Sequence, residues 1–234
     1  MKLASIVPVP NIERIDEHSV AMYLTHLAPH YKKHTKNCYR ILDNSLIELG
    51  SAVSFDDVLN AANVLGVNEI ILPDVFRDGE KTFNTVNEIC KNIRDGKMQK
   101  PAYNLMAVCQ GSSEKEFAEC FDKLRSLPEI HCIGIPKVAT TFMLNGRPGL
   151  EYLWWDCEKD IHLLGVWENL RELPMYKHPE KIRSVDTCIP ALLSKTTSCA
   201  WAERPHKTID LMKDKINEDN YANIMQTLSG WGWL

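Results

Sequence analysis

The chain has 234 residues, of which 44% are hydrophobic and 25% are charged, which is the composition of an ordinary globular protein. The length is sufficient for a complete single-domain α/β barrel. A formal net charge of −4 argues against a general polyanion binder, although it allows a local basic surface.

The apolar segments and the cysteines indicate a cytoplasmic protein. No apolar run is long enough to cross a membrane, and Pro8 interrupts the N-terminal run too early for a signal peptide. The cysteines form no C-x-x-C pair and no closely spaced group with histidine, so we expect a reducing compartment and no metal site. Neither G-x-G-x-x-G after the first strand nor G-x-x-x-x-G-K-[ST] occurs, and we expect no cofactor.

Short β-branched runs alternate with longer amphipathic segments. The runs predict strands at residues 3–8, 38–43, 69–73, 103–109, 132–136, 161–166 and 183–187, with a weaker eighth strand at 207–211. Alternation with helices implies parallel pairing through right-handed crossovers. This number of units favours a (β/α)8 TIM-like barrel, formed by residues 1–234 as a single α/β domain, over an open doubly wound sheet.

Three helices are predicted from capping residues and apolar spacing. One begins after Ser54 and ends at Gly66, a second covers residues 80–93, and a third opens at Ser112–Glu114. Each has one apolar face, as expected for a helix that packs against a central sheet.

An acid or an amide ends four of the apolar runs. Asp43, Asp74 and Asp186 end three of them, and Gln110 ends the fourth. The carboxyl ends of barrel strands share one face, where catalytic residues usually lie. We therefore expect these side chains, together with the backbone of Gly134, to surround one mouth of the barrel.

The residue types alone leave three kinds of chemistry open at this mouth. Carboxylates can hold Mg²⁺, which prefers oxygen ligands. Two carboxylates can act as acid and base on a sugar. Carboxylates and an amide can also bind the edge of a heterocycle such as guanine, which presents two adjacent donors beside one acceptor.

Five segments, in order, resemble motifs of the tRNA-guanine transglycosylase superfamily. The segment 107–111 (AVCQG) resembles its QG strand end, and 42–49 (LDNSLIEL) resembles its D-S-G-G-[FY]-Q segment. Residues 133–135 (IGI), 161–166 (IHLLGV) and 184–190 (SVDTCIP) stand where that superfamily has G-G-L-x-V-G-E, L-M-G-V-G and F-D-C-V-x-P-T-R. The resemblance covers residues 38–190 with compatible spacing.

Where this chain departs from the motifs, the departures indicate which members of the superfamily it resembles. The tRNA enzymes carry a zinc motif after the nucleophile and are far longer, whereas this chain has no such motif. Asn44 and Ser45 replace a glycine pair, and Ile47 replaces the aromatic residue that stacks on the base. Short, zinc-free members are the phage and bacterial enzymes that place 7-deazaguanines in DNA. The resemblance thus implies a glycosyltransferase with DNA and a free 7-deazaguanine base as partners, and without the zinc subdomain we expect a monomer.

The resemblance also implies the role of each site residue. Asp186 would be the nucleophile and Asp43 the general acid and base. Asp74 and Gln110 would bind the guanine edge, with backbone near its carbonyl and an apolar residue on each ring face. The substrate-binding residues are then Asp74, Gln110, Gly134, Ile135, Ile47, Leu164 and Gly165. Phosphate contacts would come from basic patches within residues 32–40, 97–100 and 195–207.

Three alternatives stay open at this point. One is a related enzyme that acts on RNA, and another is a Mg²⁺-dependent barrel hydrolase or lyase, whose activity a chelator would remove. The third is a catalytically silent nucleic-acid-binding protein, which would bind its partner equally well without Asp186.

Overall fold

A computed structural model describes residues 1–15, 20–31, 37–99, 101–166, 172–195 and 209–230. In these residues, eight parallel strands close into one barrel in chain order, and the last strand pairs with the first. The prediction of a (β/α)8 TIM-like barrel is confirmed. The strands are β1 (Lys2–Ser5), β2 (Val20–Leu24), β3 (Tyr39–Asp43), β4 (Glu69–Ile71), β5 (Asn104–Val108), β6 (Cys132–Ile135), β7 (Asp160–Leu163) and β8 (Ile182–Thr187).

The predicted eighth strand was placed at the wrong end of the chain. The strand that completes the barrel is β2, which pairs with β1 and β3. Its five residues are all buried, so it lacks the polar alternation that marks a strand exposed on one face. Of the predicted strand at 207–211, residues 207 and 208 lie outside the described residues, and 209–211 contain no strand.

Six α-helices surround the described part of the barrel: α1 (Leu46–Leu49), α2 (Phe55–Leu65), α3 (Gly79–Arg94), α4 (Glu114–Arg125), α5 (Ile189–Ser194) and α6 (Glu218–Gly230). The three predicted helices are α2, α3 and α4. Ser54, Asp78 and Ser113 cap them by accepting a hydrogen bond from a main-chain N–H in the first turn. No described helix has the length and apolar character needed to span a bilayer.

Short 3-10 helices replace α-helices in several connections. In the described residues of the β1–β2 and β2–β3 connections, the helical segments are the 3-10 turns Val9–Arg14 and Thr25–His30. Others follow β6, at Lys137–Thr141 and Arg147–Leu153, and precede β8, at Leu173–Met175 and Pro179–Lys181. Since a 3-10 turn has no 3.6-residue apolar period, these connections carry no amphipathic signal in the sequence.

Two apolar cores fill the fold. A larger one lies between the strands and the surrounding helices, and a smaller one fills the barrel interior. The interior side chains are Ala4, Val20, Met22, Ile41, Ile71, Met106, Val108 and Cys132.

A polar network closes the amino-terminal end of the barrel. The carboxylate of Glu69, at the start of β4, is fully buried and accepts two hydrogen bonds from Arg183, of 3.1 and 2.7 Å. Tyr39 also donates to Glu69, and Asn104 donates to the hydroxyl of Tyr39. These groups occupy the barrel end opposite to the strand C-termini, where residues contribute to stability.

A β-bulge interrupts the pairing of β7 with β8. Ile161 lies opposite Ile182, but His162 lies opposite Ser184, so Arg183 is the extra residue. Because of this extra residue, two neighbouring side chains of β8 both contact groups inside the barrel. Arg183 contacts Glu69, and Ser184 contacts His162.

Candidate active site

A cavity of about 920 Å³ opens at the carboxyl ends of the strands. Asp43, Asp74, Gln110 and Asp186, which the sequence placed at strand ends, all line this one cavity. A volume of this size is typical of a small-molecule site. The four polar side chains therefore converge, as expected, at the end of the barrel where catalytic residues usually lie.

Asp186 is buried in the cavity wall and is held through one oxygen. It is the penultimate residue of β8 and is 4% exposed. Its Oδ1 accepts a hydrogen bond of 3.0 Å from the main-chain N–H of Gly165 and lies 3.2 Å from Nε2 of His162. Gly165 adopts a positive φ of 66°, which glycine tolerates well. Among the described residues Oδ2 has no hydrogen-bond partner, so it is the oxygen available to a molecule in the cavity.

Asp43 is the last residue of β3 and is partly buried. Withdrawal from water raises the pKa of its carboxyl well above the usual range, and the negative charges of Glu48, Asp186 and Asp74 raise it further. The main-chain N–H of Ser45 opposes this shift by donating to Oδ1 at 2.6 Å. Asp43 is thus a carboxyl of this cavity that is suited to hold a proton.

Asp74 is buried between two amides. Its Oδ1 accepts from Nδ2 of Asn44 at 2.7 Å, and its Oδ2 accepts from Nε2 of Gln110 at 2.6 Å. Burial raises the pKa of Asp74 to about 6, while the two amide donors oppose the shift. The main-chain N–H of Asp74 opposes the shift as well, and the carboxylate keeps further acceptor capacity, so a ligand donor can still bind here.

Two residues with unusual backbone lie beside these acids. Ser45 and Arg77 have a φ of 59°, and in the described residues they are the non-glycine positions with positive φ. Ser45 follows Asp43 by two positions, and Arg77 follows Asp74 by three. Such strained residues concentrate at functional sites.

The structure does not bring Gly134 or Ile135 to the cavity wall, contrary to the sequence-based expectation. The Gly134 carbonyl accepts from the main-chain N–H of Cys109 within the barrel wall. Ile135 points into the outer core, and its carbonyl accepts from Leu164 and from the buried Arg147. The carbonyls of both residues thus serve the barrel wall, and neither residue is among those that line the cavity.

Gly134 acts on the cavity indirectly, through Leu164. A Cβ at position 134 would lie 2.6 Å from Cδ1 of Leu164 and 3.2 Å from Cγ2 of Val108. Leu164 lines the cavity, as does Gly165, so the absence of a side chain at position 134 provides the space that Leu164 occupies. Arg147 also donates to the carbonyl of Leu164 and so helps to hold Leu164 in place.

Apolar and basic side chains form the rim of the cavity. Ile47, on α1, is 74% exposed and lines the cavity together with Leu164. Phe76 is 47% exposed, and the guanidinium of Arg77 lies 5.5 Å from the centre of its ring. Lys137 lies on the same rim. A flat aromatic ligand inside the cavity and an anion outside it would both find suitable contacts.

The structure describes three cations of the basic patches predicted as phosphate contacts, Arg40, Lys97 and Lys195, and Lys195 pairs with Asp214. Arg40, in β3, reaches back to the carbonyl of Leu65, and Lys97 precedes β5 and pairs with Asp95. Both therefore lie toward the opposite end of the barrel. Residues 32–36, 100 and 196–207 lie outside the described residues.

Sequence reasoning missed His162 and the orienting role of Asn44. Asn44 donates to both Asp74 and the carbonyl of Leu72, and so links the loop after β3 to the end of β4. His162 is fully buried inside the barrel beneath Asp186. The signal was present, because a polar residue two positions before Leu164 shares its inward face in a strand.

Comparisons with known proteins do not assign this chain to a family. No protein-family model matches it, and no curated protein matches it either. In the described residues, no group of three or more His, Cys, Asp or Glu side chains is arranged to hold a metal ion.

Proposed function

We propose that this protein is a DNA-guanine transglycosylase, which exchanges guanine in DNA for a 7-deazaguanine base through a covalent aspartyl intermediate. One observation carries the proposal. Asp186, held through Oδ1 with Oδ2 unpartnered among the described residues, shares a cavity with Asp43, a carboxyl of raised pKa. One group is thus suited to attack carbon, and the other to give and take a proton.

In the first displacement, Oδ2 of Asp186 bonds to the anomeric carbon of the deoxyribose, and the glycosidic bond breaks. The electron pair of that bond leaves with guanine, which takes a proton on a ring nitrogen from Asp43. The raised pKa of Asp43 supports this role because its carboxyl keeps a proton to a higher pH than an ordinary aspartate does. The products are a glycosyl ester on Asp186, free guanine and the Asp43 carboxylate.

In the second displacement, the incoming base attacks the same carbon. Its glycosidic nitrogen loses a proton to the Asp43 carboxylate and bonds to the anomeric carbon. The ester bond breaks, and its electron pair returns to Asp186. Two inversions at one carbon give net retention, as in retaining glycosidases.

The Asp74–Gln110 pair supports binding of a guanine-like edge. The carboxylate of Asp74 can accept from the two adjacent donors of the base, and Nε2 of Gln110 has a second hydrogen available for the base carbonyl. Ile47 and Leu164 line the same cavity and offer apolar surface to the ring faces. Gly134 has no direct contact in this arrangement and instead gives Leu164 its position.

The rim supports a polymer rather than a free nucleoside as the donor. Phe76 offers a ring on which a neighbouring base can stack, and Arg77 offers a guanidinium to a phosphate. A target base must leave the duplex to enter the cavity, at a cost of a few kcal/mol, so flexible or single-stranded DNA is the favoured substrate. The choice of DNA over RNA follows the resemblance to short, zinc-free enzymes.

A base-exchange assay tests the proposal. The protein is incubated with radiolabelled guanine and with either guanine-containing DNA or tRNA, and label in each polymer is counted. We expect label in DNA, insensitivity to a chelator, and a denaturation-resistant adduct with DNA that is absent in Asp186→Ala. Asp122→Ala, which changes an exposed acid on α4, should behave as wild type.

Three results would overturn the proposal. Label in tRNA alone would assign the activity to RNA. Activity that a chelator removes, with no adduct, would favour the metal-dependent alternative. Unchanged exchange in Asp186→Ala would remove the nucleophile.

A further inference from the structure

A chain of hydrogen bonds runs through the barrel from Glu69 to Asp186. Glu69 accepts from Arg183, and Nε of Arg183 donates to Oγ of Ser184 at 3.3 Å. Oγ of Ser184 lies 2.8 Å from Nδ1 of His162, and Nε2 of His162 lies 3.2 Å from Oδ1 of Asp186. The chain therefore connects the polar network at the closed end of the barrel with the carboxylate at its mouth.

The two ends of this chain fix its direction. A guanidinium can only donate and a carboxylate can only accept, so Arg183 donates to Ser184 and His162 donates to Asp186. Among the described residues, Oγ of Ser184 has no partners besides Arg183 and His162. Its hydroxyl hydrogen therefore finds its acceptor at Nδ1 of His162. This arrangement places a ring proton on Nε2, the nitrogen that faces Asp186.

We infer that His162 is a positioning residue for Asp186, an inference that rests on the proposed function. It donates from Nε2 to Oδ1 of the carboxylate and so directs Oδ2 to the anomeric carbon. Ser184 and Arg183 hold the ring in the required tautomer. His162 does not itself touch the substrate, because it is fully buried beneath the carboxylate.

The arrangement serves both displacements. Before attack, the donors His162 and Gly165 converge on Oδ1, so the carboxylate cannot rotate to present its oxygens interchangeably. After attack, Oδ1 becomes the carbonyl oxygen of the glycosyl ester. When the ester breaks, negative charge returns to the carboxylate, and the same two donors stabilise it without having to move.

Because the site is buried, water cannot readily replace the hydrogen bond that His162 donates to Asp186. His162, Ser184 and Asp186 are 0%, 1% and 4% exposed. Water has little access to Oδ1, so loss of the imidazole leaves that oxygen with the Gly165 N–H alone. Small misplacements of a reacting group can lower a rate by about 100-fold.

A pair of amide substitutions separates this role from simple packing. His162→Gln places a donor at the ε position, within reach of Asp186, but cannot also bond Ser184 in the same way. His162→Asn places its amide at the δ position, where it can bond Ser184 but not Asp186. We expect His162→Asn to lower kcat for base exchange on the order of 100-fold with little change in KM, and His162→Gln to retain most of the rate.

The ring itself can be observed without any activity. The ¹⁵N spectrum of histidine-labelled wild type should show His162 with its proton on Nε2, and Ser184→Ala should weaken that preference. Thermal unfolding of each variant identifies any that fail to fold, and Ser184→Ala provides the milder change if they do.

The outcomes are distinguishable from failure of the proposed function. A wild type that exchanges no base would refute the proposed function, whatever the ring spectrum. With an active wild type, equal kcat in His162→Asn and His162→Gln would overturn the positioning role. A proton found on Nδ1 of His162 would overturn it in either case.

Discussion

Arg77 donates its main-chain N–H to Oε1 of Gln110 at a distance of 3.1 Å. Nε2 of the same amide donates to Asp74, so the side chain of Gln110 connects the loop after β4 with the acid at the start of that loop. Arg77 holds its positive φ in this arrangement while its guanidinium stays at the rim of the cavity. The strain at Arg77 and the position of the Gln110 amide are therefore coupled.

Two substitutions at Arg77 separate its charge from its backbone strain. Arg77→Gly and Arg77→Ala both remove the guanidinium, and both should reduce the slope of log affinity for DNA against log salt by about 1. Only glycine relieves the positive φ. We expect the free energy of unfolding of Arg77→Gly to exceed that of Arg77→Ala by about 1 kcal/mol, measured by urea denaturation.

The comparison between the two Arg77 variants is its own control. Equal stability would show that the backbone at position 77 is not strained. An unchanged salt slope in both variants would show that the rim does not contact phosphate.

Asp43→Asn should stabilise the protein at neutral and alkaline pH while lowering base exchange by about 10²- to 10⁴-fold. The pKa of Asp43 is raised in the folded protein, so its ionisation costs stability above the folded pKa. That cost is absent below the unfolded value of about 3.9. The gain in melting temperature over wild type should thus be largest near pH 8 and should shrink as the pH falls.

A constant difference in melting temperature from pH 4 to pH 8 would contradict this view of Asp43. Asp56→Asn, at an exposed acid of α2, provides the control for a change of net charge alone.

Gly134→Ala should impair base binding without a direct contact to the base. The added methyl would meet the end of Leu164, a flexible side chain that must then move within the cavity. Overpacking of this kind typically costs about 1–3 kcal/mol. We expect a higher KM for the free base, measured in the exchange assay.

A second substitution tests the route through Leu164. Leu164→Ala vacates the space that the new methyl needs, so the double variant should be less impaired than the sum of the single variants. Additive effects in this cycle would place the action of Gly134 elsewhere.

Glu69→Ala should destabilise the fold by about 3–5 kcal/mol, because it leaves a largely buried guanidinium without its main partner. The matched change is Asp160→Ala, which removes the other carboxylate bound to Arg183. Asp160 is 55% exposed, so its loss should cost less than about 1 kcal/mol. Denaturant unfolding measures both, and similar losses would show that Glu69 is not the dominant partner.

Capping residues and strand ends made much of the architecture predictable. The helix predicted between Ser54 and Gly66 is found at Phe55–Leu65, because a cap and a left-handed glycine define its two ends. The convergence of Asp43, Asp74, Gln110 and Asp186 was also predictable, since parallel strands bring their carboxyl ends to one face.

Features that depend on contacts distant in sequence were not predictable. Strand β2 has no polar alternation, and the described residues of its two connections form 3-10 turns and no amphipathic helix, so closure of the barrel is what identifies it. The strand alternation places His162 on the inward face of β7, but its contacts with Asp186 and Ser184, which are more than 20 positions away, do not follow from the sequence. Ile135 was expected at the site but lies in the outer core, where Arg147 and Leu164 donate to its carbonyl.

The bulge at Arg183 changes the parity of β8 along its length. Below it, the odd-numbered Arg183 reaches the ion pair with Glu69, and above it the even-numbered Ser184 and Asp186 face inward. In a strand without the bulge, Arg183 and Ser184 would point to opposite faces of the sheet. Either Arg183, or Ser184 together with Asp186, would then point into the outer core. The extra residue thus allows the two halves of the strand to change independently during evolution. The mouth of the barrel can acquire new chemistry while its amino-terminal end stays the same.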